Sequence, residues 1–180
     1  MTNFANGLAE RGIASLRYQF PFMERGSKRP DLPTVAHAAV RAAVAEAVVR
    51  LPGLPLFAGG KSFGGRMTSQ AQALAPLPSV RGLVFVGFPL HPAGKPSDER
   101  ARHLADVLLP IQFLQGTRDE LAALDWLHPV VQGLGSRATL VLFEDADHAF
   151  HVRASSGRND RQVMDGMLDA AASWMRQALG

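Results

Sequence analysis

At 180 residues the chain is the length of one domain with room for a sizeable core, and 47% hydrophobic against 19% charged residues excludes a disordered polymer. It contains no cysteine, which removes thiolate catalysis, cysteine-held zinc and disulfides. The net charge of +3 comes from scattered arginines, lysine occurring only at Lys28, Lys61 and Lys95. The basic groups Arg25–Arg29 and Arg153–Arg161 are short and carry little aromatic character to stack bases, so nucleic acid is not an expected partner.

Taken in chain order, Ile13–Phe20 reads as a strand and Pro21–Pro33 as a loop. Thr34 then caps an alanine-rich helix to about Arg50, stopped by Pro52 and Gly53. A strand at Pro55–Ala58 runs into Gly59-Gly60-Lys61-Ser62-Phe63-Gly64-Gly65 and a helix to about Ala75. Val80–Gly87 reads as a strand, Glu99–Val107 as a short helix and Ile111–Gln115 as the next strand. A helix at Leu121–Gly135, a strand at Ala138–Phe143 and a helix at Asp160–Leu179 complete the chain. Nothing along it approaches the roughly 18 apolar residues of a membrane span, and the start lacks a signal peptide's layout, so a cytoplasmic protein without membrane association is expected.

Alternating strands and helices predict an α/β fold, a mainly parallel sheet with helices on both faces, since parallel neighbours need crossover connections. The strands are nearly uniformly apolar, as strands buried on both faces should be. Chemistry in such sheets belongs at the carboxyl ends of the strands, which singles out three loops.

The first, Gly60-Lys61-Ser62-Phe63-Gly64, is a G-x-S-x-G match between a strand and a helix. There a tight turn projects a serine hydroxyl above the sheet, small neighbours leave room for the backbone, and the helix N-terminus favours a developing anion. The second, Gln115-Gly116-Thr117-Arg118-Asp119, offers a carboxylate to orient an imidazole, with Glu120 as the alternative. The third, Asp145-Ala146-Asp147-His148-Ala149-Phe150, offers His148 as general base. Ser62, Asp119 and His148 therefore follow one another in the Ser–acid–His order, each just after a separate strand. His91, after the third of the predicted strands, faces the same mouth or serves a structural role, and Lys61 is a candidate for touching substrate. His37, His103 and His128 sit in predicted helices as surface or packing residues.

Two rivals are weak on spacing. A phosphate-binding loop of the form G-x-x-x-x-G-K-[ST] would need glycine where Pro55 stands. His148 and His151 with Asp145 or Asp147 lack the helical spacing of H-E-x-x-H, so no metal is expected.

With these residues in view, the chain resembles the α/β-hydrolase superfamily, and more narrowly its small dienelactone-hydrolase-related members akin to the testis-expressed hydrolase-like group. The resemblance covers essentially the whole chain. Its carriers are Arg17-Tyr18-Gln19-Phe20-Pro21-Phe22-Met23, Gly59 through Arg66, Gly87-Phe88-Pro89-Leu90-His91-Pro92, Gln115 through Asp119, and Asp147-His148. It implies that Ser62, Asp119 and His148 are nucleophile, acid and base, and that the Phe63 N–H supplies half of an oxyanion hole.

The chain departs from that family at its front. The family carries further strands there, and a glycine-containing loop that completes the oxyanion hole. Here Met1–Ala5 looks like the helix that should follow that loop, and the strand expected between Ile13–Phe20 and Pro55–Ala58 is absent. That would leave about five backbone groups on each facing edge unpaired, at ~1–3 kcal/mol each if buried. The expectation is an N-terminally reduced α/β-hydrolase fold in which either Met1 is an internal methionine of a longer protein or the facing strands pair directly.

The expected activity is hydrolysis of a small carboxylic ester, thioester or lactone through an acyl-enzyme, with a small-molecule acyl substrate, no cofactor, and a homo-oligomer allowed. The alternative is a catalytically silent scaffold of the same fold that binds partners.

Overall fold

The strands expected after residue 50 form one sheet. A computed structural model describing Met1–Gly180 shows β1 (Leu56–Lys61), β2 (Val80–Val86), β3 (Ile111–Gly116) and β4 (Ala138–Phe143), all parallel and ordered β1-β2-β3-β4. The helices are α1 (Thr2–Glu10), α2 (Pro21–Glu24), α3 (Pro33–Arg50), α4 (Phe63–Leu74), α5 (Leu124–Leu134) and α6 (Asp160–Gln177), with a 3-10 segment at Glu99–Asp106.

Because order in space follows order in sequence, right-handed crossovers place every connecting helix on the same face. There α3, α4, the 3-10 segment and α5 bury Val40, Met67, Leu104 and Leu127 against Leu83, Phe85 and Phe113. On the other face α1 and α6 bury Phe4, Met167, Leu168 and Trp174 against Val84, Val86 and Leu114. Consecutive residues of β2 thus serve opposite cores, the period-two alternation of a strand covered on both sides. β3 is buried throughout and β2 everywhere but Arg81, whereas β1 and β4, at the two edges, are mostly half-exposed.

The front of the chain differs from expectation. Ile13–Phe20 is not a strand: Ala14–Gln19 is exposed and makes no backbone hydrogen bond, so direct pairing with β1 does not occur. Apolar and β-favouring residues make a strand only when a ladder partner is present, and these backbone groups meet solvent instead, which removes the cost reckoned for burial. A cleft of about 920 Å³ lies between this segment and α3, and one of about 220 Å³ lies between it, α3 and β1. Its end is nonetheless anchored, because Phe20 is buried edge-on against Phe63, 5.2 Å between ring centroids.

Smaller corrections concern helix starts. Leu32 rather than Thr34 is the N-cap of α3, because Pro33 occupies the first helical position, where its fixed φ fits and its missing N–H costs nothing. The helix after β3 begins at Leu124, three residues later than the pattern suggested. The short helix before β3 is of the 3-10 kind. α6 starts behind a full capping box, Asn159 accepting from the Gln162 N–H while Gln162 accepts from the Asn159 N–H.

His103, on the 3-10 segment, stands against α4 with Nε2 2.8 Å from Ser69 Oγ. Burial, reinforced by the charge of Arg66, lowers its pKa from 6.5 to about 4. Between those values the unfolded chain binds a proton that the folded one refuses, so this contribution to stability is present above pH 6.5 and lost as pH falls towards 4. The melting temperature is expected to fall across that interval, and by less in His103→Asn. Equal falls in the two proteins would show that the ring is solvated.

Candidate active site

The turn from β1 into α4 holds Ser62 at φ 51°, ψ −118°, a conformation that costs a non-glycine residue about 1–3 kcal/mol. The surroundings impose it. The Ser62 N–H donates to the Val86 carbonyl at 3.0 Å, and its carbonyl accepts the Arg66 N–H at 3.2 Å. α4 crosses β1 so closely that a Cβ on Gly65 would stand 2.7 Å from the Gly60 carbonyl oxygen. That approach is the physical reason for the glycines around the serine.

Asp119, on the turn after β3, has a side chain 0% exposed. Its carboxylate accepts from Gln115 Nε2 at 2.5 Å and from the Leu121 N–H at 2.8 Å. The Gln115 carbonyl oxygen accepts the Phe88 N–H at 2.9 Å, so one amide ties the acid's turn to the loop after β2. Sequence reasoning gave Gln115 no role of its own. The available signal was an amide in a strand otherwise nearly all apolar.

The loop after β4 carries His148. Asp147 shapes it by accepting the N–H groups of Ala149 and His151 at 2.8 and 2.9 Å. Thr117 Oγ1 accepts the Asp145 N–H at 2.9 Å and Arg118 donates to the Asp145 carbonyl at 3.1 Å, lacing this loop to the acid's turn. The two loops cross where only glycine fits, since a Cβ on Gly116 would lie 2.3 Å from the Ala146 carbonyl oxygen.

The three loops bring the expected residues together. His148 Nδ1 lies 2.7 Å from Asp119 Oδ2, and its Nε2 lies 2.8 Å from Ser62 Oγ. A carboxylate only accepts, so Nδ1 carries the proton and donates to Asp119, leaving Nε2 to accept the serine hydroxyl proton. The imidazole is 26% exposed, open to a molecule arriving from solvent. Chemically, the arrangement can remove a proton from an alcohol and hold the resulting imidazolium against a buried carboxylate.

Phe63 is the first residue of α4, and its N–H is one of the donors that a helix start leaves without an internal partner. Lys61 ends β1, half-buried, without hydrogen bond or ion pair, beside a cavity of about 250 Å³ that Asn3 and Phe150 also line. His91 is held inside the protein. It is 2% exposed, its Nδ1 donates to the Pro92 carbonyl at 2.9 Å and its Nε2 accepts the Ala123 N–H at 3.0 Å. Both ring nitrogens are occupied internally, so it braces the loop after β2 against the segment that follows Asp119. Glu120 is exposed, and Asp119 alone of the pair reaches the imidazole. His151 pairs with Asp160 at 2.9 Å, a hydrogen bond that raises the pKa of the first and lowers that of the second.

The family model described as alpha/beta hydrolase domain matches residues 1–176. Among solved structures, an alpha-beta serine hydrolase homologue from Coxiella burnetii aligns with 94% of this chain and 74% of its own, at 19% identity and a TM-score of 0.72. A serine hydrolase without a lid from Xanthomonas campestris aligns over 96% and 72% respectively, at 22% identity and a TM-score of 0.72. An esterase domain from Rhodothermus marinus aligns over 99% and 80%, at 15% identity and a TM-score of 0.71. At these identities the likeness establishes the α/β-hydrolase fold.

Gln115→Leu removes a donor to Asp119 and strands the buried Phe88 N–H. It is expected to lower unfolding free energy by about 1–3 kcal/mol in denaturant titrations. An unchanged midpoint would mean that neither bond contributes to the native state.

Proposed function

Since the chain belongs to the alpha/beta hydrolase domain family, we propose that it is a serine hydrolase in which Ser62, His148 and Asp119 act as nucleophile, general base and orienting acid. The observation that carries this reading is the unbroken chain of hydrogen bonds from Asp119 through His148 to Ser62, at 2.7 and 2.8 Å. The substrate class is a small carboxylic ester, thioester or lactone.

Ser62 Oγ attacks the acyl carbonyl carbon while His148 Nε2 takes its proton. Negative charge gathers on the former carbonyl oxygen, beside the Phe63 N–H and the positive end of α4. The tetrahedral species collapses, the bond to the alcohol or thiol breaks, and the leaving group receives the proton held on His148. Water then gives a proton to the same nitrogen and attacks the acyl-serine; the bond to Ser62 Oγ breaks, Oγ takes the proton back from His148, and the acid is released. Asp119 stays ionised throughout, fixing the ring and stabilising its charged form.

Two considerations support a small substrate. The segments joining the strands are short apart from the loop leading to the 3-10 segment, which leaves little material for a lid, and one of the structural relatives is described as lacking one. The Rhodothermus relative, described as an esterase domain, supports ester chemistry.

A serine-directed fluorophosphonate is expected to label the protein at Ser62 and to leave Ser62→Ala unlabelled. Turnover of a 4-nitrophenyl ester is expected to fall about 10³-fold or more in Ser62→Ala, and by about 10³–10⁴ in Asp119→Asn, where the imidazole loses its tautomer. Equal labelling of wild type and Ser62→Ala, or none of either, would overturn the reading.

A further inference from the structure

Six arginines are half-buried: Arg11, Arg41, Arg66, Arg100, Arg118 and Arg137. A guanidinium withdrawn from water needs an acceptor, and four of these have one. Arg11 meets the Asp169 carboxylate, Arg41 the Ala71 and Ala75 carbonyls, Arg118 the Asp145 carbonyl and Arg137 the Val107 carbonyl. The side chains of Arg66 and Arg100 have neither hydrogen bond nor ion pair, and the Nε of Arg66 is fully buried without any partner. The charge acting most strongly on Arg66 is another cation, Arg100. The adjacent His103 is kept neutral at pH 7 by its burial, and its Nε2 already meets Ser69.

The position of this unsatisfied pair is informative. Arg66 lies one turn along α4 from Ser62, and helical side chains lean back towards the N-terminus. Its guanidinium carbon accordingly stands 5.9 Å from the centroid of the Phe63 ring, the residue directly after the nucleophile. Phe63 and Phe22, 5.8 Å apart, form an apolar wall on the same side. Arg66 therefore sits at the level of the elbow, beside a surface suited to a short hydrocarbon chain, with the charge of Arg100 acting on it.

We propose that Arg66 and Arg100 form an anion subsite next to Ser62, and that the preferred substrates are short acyl esters, thioesters or lactones whose acyl part ends in a carboxylate. The inference rests on the serine-hydrolase reading for the reaction and on the arginines' lack of acceptors for the anion. The carboxylate accepts from the terminal N–H groups of both guanidinium ions and relieves the repulsion between the cations, while the methylenes lie on Phe63 and Phe22.

The test compares 4-nitrophenyl valerate with mono-4-nitrophenyl glutarate, which differ by a methyl group in place of a carboxylate. Wild type is expected to favour the glutarate in kcat/KM by about 10- to 100-fold, the range of a charge-assisted hydrogen bond. That ratio is expected to collapse in Arg66→Gln, to fall in Arg100→Gln and to be partly kept in Arg66→Lys. A wild-type ratio near one, or an unchanged ratio in Arg66→Gln, would overturn the subsite. Independently of turnover, free glutarate titrated into Ser62→Ala protein is expected to shift the Arg66 Nε–H resonance, and valerate to leave it in place. If no ester is hydrolysed and Ser62 is not labelled, the hydrolase reading falls, while the glutarate shift still decides the subsite, its absence overturning it.

Discussion

The crossing of α4 over the end of β1 is the contact from which the rest of the site follows. Two backbones meet there with only hydrogen atoms between them, at Gly60 and Gly65. The chain can turn so sharply only by placing Ser62 at a positive φ, and that conformation lifts the hydroxyl clear of the sheet. The strain is compensated beneath it, where Met67 and Ala71 of α4 are fully buried against β2 and its neighbours. A larger residue in the turn would push the helix from the core as well as move the serine.

Around that fixed point the other two loops are laced by polar atoms as well as anchored by the buried Ala146 and Phe150. Gln115, Thr117 and Arg118 each bond across to another loop, and Asp147 folds its own. His148 therefore needs little reordering to meet both partners. Such preorganisation would let the proposed reaction begin without loss of side-chain freedom in the act.

The three side chains that meet at this site were legible because their constraints are local. A glycine-flanked serine between strand and helix, and an acid and a histidine each just past an apolar run, declare themselves in a few residues, and Ala138–Phe143 was readable to its ends. The front of the chain was not, because whether Ile13–Phe20 is a strand depends on a neighbour distant in sequence. Thr34 looked like a cap only because Pro33 was weighed as the end of a loop rather than as a first helical residue. His91 and Gln115 were ambiguous for a related reason: a polar side chain near a strand end can face ligand or protein, and only the partners decide. The same holds for the arginines. Fifteen of the Lys+Arg total of 19 cannot be told from Arg66 by composition or spacing, since sixteen are arginine and three lysine.

The strand that leads into the serine is also one of the two edges of the sheet. Leu56–Lys61 has a ladder partner on one side only, whereas β2 and β3 are paired on both. Edge strands open at lower free energy than central ones, so amide protection should climb from β1 inward, and Ser62 stands at the end of one of the two more readily loosened members of the sheet. Whatever lies along that outer edge, solvent or another polypeptide, then acts on Ser62 through the backbone itself: stiffening Leu56–Lys61 would quiet the side chain, and fraying it would loosen its hold on His148.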